Sequence, residues 1–116
     1  VTPDTTFAKD DHRYFNLEGK AFDKGETLLG VPLEKDFPGV EELKELFKED
    51  GELAALALRW ILMYDEVSVV IPGASKLSQL EANVTAGKLP EITQEKMQAV
   101  KKIYDKYIRE EVHQLW

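Results

Sequence analysis

Between Gly73 and Asn83 the chain reads Gly-Ala-Ser-Lys-Leu-Ser-Gln-Leu-Glu-Ala-Asn, and these residue types at this spacing suit the binding of an anion. Ser75 is a good N-cap for a helix from about Lys76 to Ala86, and Gly87 can stop that helix. The first amides of such a helix have no intrahelical partner. Together with the macrodipole they attract negative charge. Gly73 lets a ligand come close to the backbone. At ~100° per residue, Lys76, Gln79 and Asn83 fall within an arc of about 60°. The chemistry that fits is recognition of a phosphate, with Gln79 and Asn83 reaching a base or sugar beside it. Leu77, Leu80 and Val84 occupy a neighbouring arc and read as a stripe that packs on a core. A plainer reading uses the same residues: Gln and Asn solvated on a helix, and Ser as a cap and nothing more.

Something must hold that helix start in place. Val67-Ser68-Val69-Val70-Ile71 is a β-branched run without alternation, which suits a parallel strand covered on both faces. Pro72-Gly73 ends it, so a strand feeds the helix. Upstream, a helix is expected over about Pro38 to Lys48, with Asp36 as cap and Pro38 in the first turn. Val40, Leu43, Leu46 and Phe47 give its apolar face, and Asp50-Gly51 breaks the chain after it. A second helix runs over about Glu52 to Tyr64. It is apolar on nearly all sides and so expects burial on nearly all sides. The last helix has Thr93 as N-cap and Ile92 and Met97 as a hydrophobic staple. It continues to about Glu111, with Met97, Val100, Tyr104, Tyr107 and Ile108 on one stripe.

Residues 1–36 carry no sustained period and read as an irregular loop region with a short helix near Asp11 to Asn16. Phe7, Tyr14, Phe15 and Phe22 are its expected anchors. Residues 37–116 then read as helix-helix-strand-helix-helix, so the fold class expected for the chain alone is mostly α with one short β-strand, in a single segment. One strand cannot make a sheet, and leaving its buried backbone groups unpaired costs ~1–3 kcal/mol each. Either a second copy of the chain or a longer parent protein must then supply the partner. The polar opening from Val1 to Asp11, without an initiator methionine, fits a chain cut from something longer and equally a processed tag.

The 116 residues suffice for one domain with a modest core, and 43% hydrophobic with 32% charged residues is ordinary for a globular protein. A net charge of −7 gains nothing from counterion release, so no nucleic acid is expected as partner, and no membrane surface. There is no cysteine, which excludes disulfides, thiolate metal sites and cysteine nucleophiles and is compatible with a reducing, cytoplasmic setting. Asp10-Asp11-His12 makes a poor metal set, because three successive residues do not converge on one point, so no metal is expected. Glu41-Glu42 and Glu110-Glu111 read as solvated faces, and Trp60 and Trp116 as packing residues.

The run LALRWILMYDEVSVVIPGASKLSQLEAN resembles the C-terminal part of the aldo-keto reductases. Asp10 to Asn16, DDHRYFN, and the ending VHQLW resemble bacterial members in particular. The resemblance implies a C-terminal fragment, about the last third, of an α/β (β/α)8 TIM barrel whose cofactor is NADP(H). It implies that Gly73, Ala74, Ser75 and Lys76 line the 2′-phosphate of the cofactor, and that Gln79 and Asn83 face the phosphate and adenine. The family's hydride transfer resembles work done by a tyrosine acid with lysine, aspartate and histidine from the early strands. Tyr14, Tyr64, Tyr104, Tyr107, His12 and His113 do not lie in that motif, so no catalytic residue is expected here and the chain alone is expected to be inactive. The partner is then the remainder of the barrel. The alternative is a free-standing helical interaction module, a homodimer that pairs the Val67–Ile71 runs across a two-fold axis.

Overall fold

The computed structural model describes residues 4–16, 21, 31 and 33–115, with the backbone alone at positions 33 and 34. All regular structure among them is helical: α1 His12–Phe15, α2 Leu33–Leu46, α3 Leu53–Ile61, α4 Leu77–Ala86, α5 Gln94–Tyr107 and α6 Arg109–Val112, followed by a 3-10 turn at His113–Leu115. None of these helices is long and apolar enough to cross a membrane. The chain divides into two compact units, Val1–Glu42 with Lys101–Trp116 and, separately, Leu43–Val100.

In the first unit, α1 forms where the sequence expects it. The Asp11 carboxylate accepts the Arg13 backbone N–H at 2.9 Å and holds the guanidinium through Nη2 at 2.6 Å and Nε at 3.0 Å. The guanidinium in turn lies 4.6 Å from the centre of the Phe7 ring. Asn16, fully buried, accepts the Ala21 N–H at 3.1 Å. Of the expected aromatic anchors, Phe7 is half-buried against the Arg13 guanidinium, while Tyr14 and Phe15 stay about half exposed. A single helical turn has too little surface to bury two rings. Phe22 lies outside the described residues.

The helix expected from Pro38 begins five residues earlier in the chain, at Leu33. Pro38 therefore sits inside α2, not in its first turn, and Asp36 is not its cap. Proline has no N–H to give the carbonyl of residue 34, and its ring crowds that carbonyl. Beyond it, Gly39 is buried, and a Cβ there would meet the Tyr107 ring at 3.5 Å, so the small residue admits α5 closely. One turn further, Glu42 accepts from the Tyr107 hydroxyl and the Lys106 ammonium, each at 2.5 Å. Lys35 pairs with Glu111. Among the described residues, Val31, Ile103 and Val112 are the buried apolar side chains of this unit.

The second unit is built on Phe47, Leu56 and Ile92, with Leu43, Leu46, Leu53, Trp60, Met63, Leu89, Met97 and Val100 packed around them. Gly51, with φ of +123°, turns the chain between α2 and α3 in a conformation that side chains avoid. Thr93 caps α5 by accepting the Lys96 N–H at 3.3 Å, and both expected staple residues, Ile92 and Met97, join the core. That helix stops at Tyr107, short of Glu111, and α6 restarts after Ile108.

Two expectations fail in this unit. The apolar helix α3 is not buried all round: Leu56 alone is fully buried and Ala54 and Ala57 are exposed, because α4 is the helix that packs on it and covers one side. The run Val67–Ile71 is not a strand. Val67 closes a turn onto the Tyr64 carbonyl at 3.0 Å, and the backbone from Ser68 to Ala74 makes no hydrogen bond among the described residues. Val69 is 70% and Ile71 91% exposed. A ladder needs a second strand at about 4.8 Å, and no described segment offers one.

Candidate functional site

The candidate site is the start of α4. Lys76, not Ser75, takes the cap position, with an extended backbone (φ −134°, ψ 148°), and Leu77 is the first helical residue. Two of the amides at this end, those of Ser75 and Lys76, are satisfied from within the helix. Gln79 Oε1 accepts from the Ser75 N–H at 2.8 Å, the Lys76 N–H at 3.0 Å and the Ser75 hydroxyl at 3.1 Å. This is the returning half of a capping box, supplied by the third helical residue. Gly87 ends α4 as expected, with an ordinary right-handed φ of −66°.

Gly73, Ala74, Ser75, Lys76 and Gln79 are all exposed. A Cβ on Gly73 would meet nothing within 4 Å, so the approach over the backbone is open. The structure thus brings Ser75, Lys76 and Gln79 together around one acceptor-and-donor cluster. Asn83, two turns into the helix from Lys76, is half-buried, and its Nδ2 is buried without a hydrogen-bond partner. Trp60 Nε1, on the neighbouring α3, is in the same condition. The segment's single carboxylate, Glu81, falls on the far side of the helix from the Lys76–Gln79–Asn83 stripe, so no carboxylate faces an incoming anion from α4 itself.

The expected packing stripe is overturned. Leu77, Leu80 and Val84 are 70%, 52% and 58% exposed. The side of α4 that carries Asn83 turns inward with Ala86, which is fully buried. Ala86 has only a methyl group to fit beneath the helix, and that lets the backbone sit close to its neighbour. Of the polar arc only Asn83 turns inward, while Lys76 and Gln79 stay exposed beside the exposed apolar arc.

Among the described residues the other titratable groups form no second anion site. His113 Nδ1 lies 3.1 Å from the Tyr104 hydroxyl, His12 lies beside Asp11, and no group of metal-ligating residues exists among those described. Glu111 is held by Lys35, so it is an ion-pair partner and not simply solvated. The Glu42–Lys106–Tyr107 cluster is a polar constellation that sequence reading misses, since no spacing rule links residue 42 to residue 106. The Lys106 ammonium and then the Tyr107 hydroxyl hold the Glu42 carboxyl below its ordinary range, and Glu42 holds Lys106 above its own. An open cavity of about 100 Å³ in the second unit is lined by Phe47, Leu56 and Ile92, with the Asp50–Lys96 ion pair at its edge. It includes no residue of the α4 cluster.

Residues 4–105 match the model of the aldo/keto reductase family, and the chain belongs to that family. No curated protein and no solved structure matches it significantly.

Proposed function

We propose that this chain supplies the adenosine 2′-phosphate end of the NADP(H) site of an aldo-keto reductase, as the C-terminal part of a (β/α)8 barrel whose hydride-transfer residues are not among these 116. The observation that carries the reading is the gathering of Ser75, Lys76 and Gln79 at one open helix start, in a chain of this family. A phosphate there takes the two amides and the hydroxyl that Gln79 Oε1 now occupies. Turning the Gln79 amide over offers Nε2 to the same phosphate as a donor. Lys76, with no ion-pair partner among the described residues, adds the charge. Asn83 completes the stripe, and its Nδ2 is a buried donor without a partner, which an adenine ring nitrogen meets only once the covering groups move aside. The cofactor, when bound, supplies the hydride; these residues bind and orient its distal end. In this reading the remainder of the barrel is the partner that covers the Val67–Ile71 run.

Calorimetric titration tests the proposal. NADP+ is expected to bind the purified chain weakly, yet more tightly than NAD+, and Lys76→Ala is expected to erase the difference. Equal affinity for the two nucleotides removes the phosphate assignment. Turnover of a simple aldehyde with NADPH by the chain alone removes the claim that the reacting groups lie elsewhere.

A further inference from the structure

We propose that the cavity of the second unit binds a small organic cation, a primary ammonium on a branched aliphatic body of about four carbons. The cavity measures about 100 Å³, and Phe47, Leu56 and Ile92 form its apolar lining. These are the buried residues at the centre of the core, so packing keeps the lining in shape without a guest. A hollow of about 150 Å³ lined in this way is large enough for benzene, so this one suits a smaller body. None of its residues belongs to the α4 cluster, and the inference stands apart from the nucleotide reading.

Size alone admits a neutral, an anionic or a cationic guest, and the rim decides among them. Its charged residues are Asp50, Glu91 and Lys96, two carboxylates against one ammonium. Lys96 Nζ donates to Asp50 Oδ2, while Asp50 Oδ1 has no donor among the described residues. Glu91 is well exposed, and its ion pair with Arg59 is long, at 3.9 Å. An anion must draw Lys96 away from Asp50 and approach two carboxylates to do so. An ammonium takes Oδ1 as it stands, and Asp50 cancels the Lys96 charge that would repel it. The Phe47 ring tolerates positive charge, since Lys96 Nζ already lies 5.5 Å from its centre. Glu49 and Glu52, both exposed, flank Asp50-Gly51, and the chain as a whole carries −7, so the field at the mouth also favours a cation.

Titration of the whole chain with isobutylammonium, isobutanol and isobutyrate, followed by NMR, provides the test. The three guests share a branched body and differ in charge. Isobutylammonium is expected to shift the Leu56, Leu89 and Ile92 methyl resonances with a dissociation constant of about 1–10 mM, roughly tenfold tighter than isobutanol, with isobutyrate the weakest. Asp50→Asn is expected to remove the advantage of the amine over the alcohol. Lys96→Gln frees the second oxygen of Asp50 and is expected to strengthen amine binding about threefold. Neither variant is expected to move the NADP+ titration. Circular dichroism checks that each variant is folded, and the three titrations of the unaltered chain decide the charge preference even where one is not. The proposal is overturned if no guest gives a saturable shift, if the three bind equally, or if isobutyrate binds tightest. A folded Asp50→Asn chain that keeps the preference overturns it too.

Discussion

In the proposed site Gln79 has two jobs that cannot be done at once. Its carbonyl oxygen closes the open end of α4, and the proposed phosphate needs the same amides. Replacing it by glutamate separates the jobs. A carboxylate accepts the two N–H groups more strongly and sits at the positive end of the helix dipole, so Gln79→Glu is expected to stabilise the chain by about 0.5–1 kcal/mol in urea denaturation. The same charge repels a phosphate, so NADP+ affinity is expected to fall. If stability and affinity move together, Gln79 is not the shared group. Asn83 presents a related tension. A half-buried amide with an unsatisfied Nδ2 costs stability, and such costs are kept where a ligand relieves them.

At the scale of elements, α2 shows a helix formed against a local preference. Pro38 lies in its interior and is exposed, so nothing around the ring requires it. Pro38→Ala returns an N–H to the carbonyl of residue 34 and is expected to raise stability by about 1–3 kcal/mol, read from the denaturation midpoint. A loss instead means that Pro38 helps to seat Gly39 against Tyr107. Elements whose signals are local were legible in the sequence. The α5 start is written in Ile92, Thr93 and Met97, within less than two turns, and the structure follows it. The break at Gly51 and the short helix near Asp11 are of the same kind. The start of α2 was misread because Asp36-Phe37-Pro38 imitates a cap and first turn while the helix already runs through it. The strand was misread because a ladder depends on residues far away or in another chain. On α4 both arcs satisfy the same period. Which one turns inward depends on Ala86 and the neighbouring helix, and no pattern within α4 contains that.

For the molecule as a whole, acid is the condition that separates its polar fastenings. The hydrogen bonds from Arg13 bring the Asp11 carboxyl down from 3.8 to about 2, and Lys106 with Tyr107 lowers Glu42. A carboxyl lowered in the folded state contributes stability above its unfolded pKa and loses that contribution as pH falls through the folded value. Asp36 runs the other way. Its burial raises it, so its ionised form opposes folding above the folded pKa and the penalty fades on acidification. Stability is therefore expected to decline from about pH 4 downward, the decline being smaller in Asp11→Asn, as followed by urea midpoints at stepped pH. Matching acid limbs for the two chains place the sensitivity elsewhere. Asp11 and Glu42 are open to water, so their effects are modest and shrink in salt.

The free backbone from Ser68 to Ala74 has a consequence of another kind. A proteolytic cleft takes its substrate as an unpaired stretch of chain and must first unfold whatever is hydrogen-bonded. This stretch needs no unfolding, and it offers Val69, Val70 and Ile71 to an enzyme that selects aliphatic residues. A single nick there divides the second unit between its first two helices and its last two, and anything that seats itself on Val69 and Ile71 acts as a guard against the cut.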